Sequence, residues 1–199
     1  MSSDPSAGTS TERTAARPTP GERTRSLRRV RQIREFASRP LTDAELDAIV
    51  DAARWSGSSR NVQPWRFIVL REVEPLRRLA EIGTPQTIPL ATAVAAIALV
   101  VPADPADAVW VAYDEGRATE RILIAAGELG LGAGITWIRR DIEPPVAALL
   151  GLPEDRIVRT IVAIGHPSEA ALRPKSAPGT ARLPRTEVVF SERWPEGRG

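Results

Sequence analysis

The sequence predicts a fold that combines helices with a buried sheet. Phe67–Arg71, Val94–Val101 and Ile157–Gly165 are apolar on both faces, the pattern of strands central in a sheet. Between them lie helical patterns, of which "LTDAELDAIVDAARW" is the clearest. There Thr42 and Glu45 form a capping box, and Leu46, Ile49, Val50 and Ala53 recur at helical spacing. A chain of 199 residues, 42% of them hydrophobic, suffices for one core.

Residues 1–24 are rich in Ser, Thr, Pro, Gly and Ala without apolar periodicity and are expected to form a disordered tail, leaving one domain over residues 25–199. No apolar h-region of a secretory signal is present, and Asp4, Glu12 and Glu22 argue against a transit peptide. From Leu27 the apolar spacing Leu27, Val30, Ile33 predicts a helix with arginines between. A long helix is predicted from about Pro105 to Leu129, with Ile122, Leu123, Ala125, Ala126 and Leu129 as its buried stripe. A short one, Pro144–Leu150, opens on Pro, whose missing N–H costs nothing in a first turn. The closing "RPKSAPGTARLPRTEVVFSERW" is Pro-rich and then extended; it has no core of its own and is expected to lie over another surface.

Composition excludes several chemistries. With no cysteine, disulfides and thiolates play no part, and one histidine, His166, argues against an imidazole metal site. No apolar run reaches the roughly 18 residues that span a bilayer, so a cytoplasmic protein without membrane contact is expected. The first 40 residues hold nine arginines against four acidic residues, +5, whereas the whole chain is +2. The remainder is therefore acidic, and the body of the protein is no basic nucleic-acid binder.

The glycines of "ELGLGAGITWI" follow a helix and precede a short strand, Ile135–Ile138, which is the reverse of a dinucleotide-binding loop. Two readings stand for them: a helix C-cap at Gly130 followed by a tight turn, or Gly132 and Gly134 letting backbone amides approach a flat ligand. His166, in "GHP", lacks a nucleophile elbow and reads as a surface or hydrogen-bonded histidine. Asp114 and Glu115 are adjacent on a helix, cannot face each other, and read as a solvated face. The basic "RTRSLRRVRQIREF" is a solvated helix face, a polyanion arm or a phosphate clamp. "SSRNVQPWRF" sets hydroxyl, guanidinium and amide groups at the mouth of the core beside Trp65.

Five landmarks in order resemble the FMN-dependent nitroreductase family: the Arg-rich segment ending "REF", "ARWSGSSRNVQPWRFIVL", "DEGRATERILIAAGELGLGAG", "LLGLPEDRIVRTIVAIGHP" and "ARLPRTEVVFSERW". They run from about Arg28 to Trp194. The resemblance implies an α+β, three-layer fold with a central mixed or antiparallel sheet flanked by helices, and a homodimer with an exchanged C-terminal arm. It implies FMN at the dimer interface, NADH or NADPH as reductant, and a small-molecule acceptor such as a nitroaromatic, quinone or enone, reached by ping-pong kinetics. Chemistry at the flavin N5 needs no catalytic side chain. The family's pattern maps Ser58, Ser59, Asn61 and Gln63 onto the ring from the opposite subunit, and Gly134, Ile135 and Thr136 onto backbone amides near N5 and O4. It maps Arg34 near N1 and O2, Arg182 on the phosphate, and Gln86 more loosely on the ring. Where the family has Arg-Arg-Ser, this chain has Val30, Arg31 and Gln32, so the phosphate clamp is altered. Alternatives are a flavin carrier or sensor without turnover, and a basic arm that binds nucleic acid.

Overall fold

The computed structural model describes residues 17–174, 176–177, 180 and 182–195. Five antiparallel strands form the sheet: β1 (Phe36–Ala37), β2 (Arg66–Leu70), β3 (Ala95–Pro102), β4 (Gly132–Trp137) and β5 (Arg156–Pro167). β5 is the hub. It pairs with β3, β4 and β1, and β2 closes the far edge against β3.

The helices are α1 (Pro20–Arg23), α2 (Arg25–Arg29), α3 (Asp43–Arg54), α4 (Val73–Ile82), α5 (Ala108–Glu128), α6 (Glu143–Leu150), α7 (Glu169–Leu172) and α8 (Arg185–Val188). Because side chains alternate across a strand, β3 feeds two cores. Ala95, Ile97 and Leu99 pack against Leu46 and Ile49 of α3 and Ala118 and Ile122 of α5. Ala96, Ala98 and Val100 pack against Leu76 and Leu79 of α4 and Val146 of α6. The result is a helix–sheet–helix sandwich, the α+β three-layer arrangement that the resemblance implied.

Local chemistry sets the boundaries. The Thr42 hydroxyl accepts the Glu45 N–H while the Glu45 carboxylate accepts the Thr42 N–H, so both orphan donors at the start of α3 are satisfied. α5 ends in a Schellman motif: Leu131 N–H donates to Ala126 C=O at 2.8 Å and Gly130 N–H to Gly127 C=O at 3.1 Å, with Gly130 at φ +71°. The C-cap reading of Gly130 is the observed one.

Several expectations are corrected. The helix expected from Leu27 stops at Arg29, and Val30 turns out of helical conformation (ψ 128°). Ile33 N–H then donates to Ala133 C=O, laying Gln32–Ile33 alongside β4. β2 is an edge strand with Val69 exposed. Residues 1–16 of the expected tail lie outside the described residues; residues 20–23 form a helical turn with its own capping box at Thr19. α8 puts a turn of helix into the arm expected to be extended. Among the described residues no helix is long and apolar enough to cross a membrane.

Candidate functional site

β4 positions the site. Its glycines lie inside the strand, not before it as expected, and their neighbour is the chain itself. A Cβ on Gly134 would overlap the Ile33 carbonyl oxygen, and one on Gly132 would sit 2.8 Å from the Ile33 side chain. The close approach that these glycines allow is therefore made by Gln32–Ile33.

That packing decides which β4 amides face outward. Ala133 C=O and Ile135 N–H both turn to the Gln32–Ile33 side, so by strand alternation Gly134 and Thr136 turn their amides toward β5. The Thr136 side chain is fully buried and donates its hydroxyl to Ile161 C=O at 2.7 Å. Of the three consecutive amides expected at the ligand, only that of Ile135 points outward. It donates to Gln32 Oε1 at 2.7 Å.

Beside this amide a groove of about 360 Å³ is lined by Arg34, Pro85, Gln86, Ile88, Pro89, Ile135 and Trp137. Arg34, Gln86 and Ile135 were expected in one site, and the fold brings them together. Trp137 and Ile88 are both more than half exposed there, and among the described residues none that lines the groove is a carboxylate. Gln86 Oε1 accepts from Arg139 Nη1 at 2.5 Å. A second cavity, of about 520 Å³, lies between α2 and the end of α5; Arg25, Arg29 and Arg31 line it beside Val30. Arg31 Nη2 donates to Leu172 C=O at 3.3 Å. Arg182 is exposed on the segment leading into α8.

The Ser58–Gln63 loop sits elsewhere. It leads into β2, at the opposite edge of the sheet from β4, with β3 and β5 between. Three strand spacings amount to roughly 14 Å. In this loop Arg60, Asn61 and Gln63 all have positive φ (49°, 56° and 51°), a conformation that side chains with a Cβ seldom adopt without an external constraint. Two anchors supply the constraint. Ser58 Oγ accepts the Gln63 N–H at 2.9 Å, and Asp114 Oδ2 accepts the Ser59 N–H at 2.9 Å. Asp114 is buried and also pairs with Arg117 at 3.5 Å. Gly57 leaves the room in which the Arg117 guanidinium lies.

Asp114 and Glu115 thus do not form a solvated face; both are buried. The signal was in the sequence, since Asp114 is three residues from Val111 and four from Ala118 on the buried stripe of α5. Glu115 lies 3.5 Å from Arg159 Nε, an ion pair too long for a hydrogen bond, and its Oε1 has no hydrogen-bond partner. Burial raises its pKa above the ordinary 4.5, against the smaller opposing pulls of Thr160 and Arg159. An acid with a raised folded pKa stabilises the fold fully below its unfolded value, and that contribution is lost as pH rises through the folded value. Glu115→Gln should remove this slope. Urea unfolding at about pH 4 and pH 8 should show the variant gaining relative to the natural protein at the higher pH; an unchanged difference would contradict the assignment.

Among the described residues no cluster of His, Asp or Glu could hold a metal ion. Residues 27–95 match the model of the nitroreductase family. An Archaeoglobus fulgidus protein named provisionally as an NADH dehydrogenase/NAD(P)H nitroreductase is 37% identical over 149 residues, 70% of this chain and 82% of that protein. The NADPH-flavin oxidoreductase of Vibrio harveyi is 28% identical, over 83% of this chain and 72% of its own length. Among solved structures, an FMN-dependent nitroreductase of Clostridium difficile superposes with a TM-score of 0.73 at 27% identity, covering 84% of this chain and 98% of that one. The match to the family model, the length and identity of the archaeal alignment and the shared architecture agree: the chain belongs to the nitroreductase family of oxidoreductases.

Proposed function

We propose that the protein is an FMN-dependent oxidoreductase that passes hydride from NADH or NADPH to a small organic acceptor, a nitroaromatic, quinone or enone, and works as a homodimer. The observation that carries this reading is the groove beside β4. Its polar side chains are a guanidinium, Arg34, and an amide, Gln86, next to the outward N–H of Ile135, with an exposed Trp137 and two prolines as apolar surface. Donors without carboxylates suit a planar ligand whose edge is rich in acceptors and gains negative charge on reduction. FMN fits that donor set and, when bound, supplies the hydride chemistry.

The chain's own contribution is binding and electrostatics. Arg34 and the Ile135 amide hold the acceptor edge, the latter in exchange for its bond to Gln32. Arg31 and Arg182 hold the phosphate, with Arg25 and Arg29 in the same cavity as Arg31 adding charge. Ser58, Ser59, Asn61 and Gln63 lie at the wrong edge of the sheet to reach the groove of their own chain, so they serve the groove of a second copy. Exposed Val62 within the loop, Trp55 just before it and Tyr113 next to its anchor Asp114 supply apolar surface for the association. Leu183, Val188 and Trp194 do the same on the C-terminal arm.

One groove admits reductant and acceptor in turn, so initial-rate double-reciprocal plots with a quinone should be parallel. Intersecting lines would mean that both bind together. Truncation before Thr180 should abolish the dimer and FMN binding; retention of both would remove the arm from the account.

A further inference from the structure

The groove contains a positioning device that the proposed function does not require but its geometry supplies. Arg139 forks onto Asp141 through Nε–Oδ1 and Nη2–Oδ2 bonds of 3.0 Å each. Its remaining arm, Nη1, donates to Gln86 Oε1 at 2.5 Å. We infer that the Asp141–Arg139 pair is a positioning unit that fixes the Gln86 side-chain amide in one orientation, with its NH2 turned to the groove as a donor. The inference rests on the reading of the groove as a flavin site.

A guanidinium has five N–H groups and no acceptor, so the amide end facing Arg139 must be the oxygen. Turning the amide over would set NH2 against guanidinium and forfeit a charge-assisted bond. The end left for the groove is the NH2, which joins Arg34 in a wall whose polar side chains only donate.

Both ends of the relay are held by rigid structure. Arg139 follows Ile138, whose N–H donates to Arg159 C=O at 2.9 Å and whose side chain is buried. The Arg139 carbonyl accepts the N–H of buried Ile142. At the other end, Gln86 N–H donates to Gly83 C=O, and the adjacent buried Thr87 donates its hydroxyl to Ala80 C=O at 2.9 Å. With both backbones pinned, the freedom left to Gln86 is that of its side chain, which the bond to Arg139 restrains. Arg139 in turn holds the Asp141 carboxyl below its ordinary pKa through the hydrogen bonds of the fork.

A positioning role and a merely structural one separate in a double-mutant cycle. Arg139→Ala should weaken riboflavin and FMN alike, by about 2- to 12-fold, the worth of one neutral hydrogen bond. It should also make the midpoint potential of bound FMN more negative, because an oriented donor favours the reduced, more anionic form. In a Gln86→Ala background the same substitution should change neither quantity, since Arg139 acts through Gln86. Additive effects would overturn the relay. A readout free of flavin is the Gln86 NH2 proton signals. They should be well dispersed in the natural protein and collapse toward solvent-averaged positions in Arg139→Ala and in Asp141→Ala; unchanged signals would overturn the relay. If the natural chain binds no riboflavin or FMN, the proposed function falls, and these signals alone decide the relay.

Discussion

Replacing Arg182 by alanine is expected to weaken FMN binding about 10- to 150-fold while leaving riboflavin affinity nearly unchanged. A phosphate dianion needs several charge-assisted donors, each worth about 1.5–3 kcal/mol. The family's usual Arg and Ser are Val30 and Gln32 here. Valine donates nothing from its side chain, and Gln32, whose Oε1 accepts the Ile135 N–H, has only its uncharged NH2 to offer a phosphate. The remaining charge falls to Arg31, whose bond to Leu172 C=O is long at 3.3 Å, and to Arg182. Riboflavin lacks the phosphate and so isolates the ring contribution. Fluorescence titration with both ligands makes the test: equal losses would make Arg182 a support of the fold, and no loss would place the phosphate elsewhere.

Asp114→Ala should release the Ser58–Gln63 loop. The substitution removes the carboxylate that accepts the Ser59 N–H, a charge-assisted bond worth about 1.5–3 kcal/mol, and deprives Arg117 of its partner. Three left-handed residues, each costing about 1–3 kcal/mol, then have one anchor left, the Ser58 hydroxyl. Cleavage by trypsin after exposed Arg60 should accelerate, because proteolysis follows the open population of a loop. FMN affinity should fall with it if the loop completes a neighbour's groove. Asp114→Asn keeps an acceptor for Ser59 and loses the ion pair, so an intermediate result is expected. Unchanged cleavage at Arg60 would show that the loop holds its shape without Asp114.

What the sequence made legible was what local rules control. The Thr42–Glu45 box, the Gly130 C-cap and the strands near Phe67, Val94 and Ile157 emerge within a residue or two of their expected bounds. Tertiary choices were not legible. Apolar runs cannot say whether a strand is central or at an edge, and β2 is at the edge. Glycine reads as a breaker, so Gly132 and Gly134 seemed to precede a strand; they lie within it because Ile33 crosses them too closely for a Cβ. Helix α2 ends early because Val30 must turn to bring Ile33 to Ala133. At the site, resemblance grouped Arg34, Gln86 and Ile135 in one groove, whereas the anchor Asp114 was visible only in the periodicity of α5.

Anaerobic titration of the purified protein with FMN followed by NADH or NADPH, monitored by visible absorbance, decides whether the chain is a flavin-dependent reductase. Saturable binding of one FMN per chain is expected, with a perturbed flavin spectrum and bleaching by one of the two nicotinamide cofactors that recovers on addition of a quinone. A chain that leaves the FMN spectrum unperturbed at saturating concentration, or binds FMN that neither reductant bleaches, would contradict that reading.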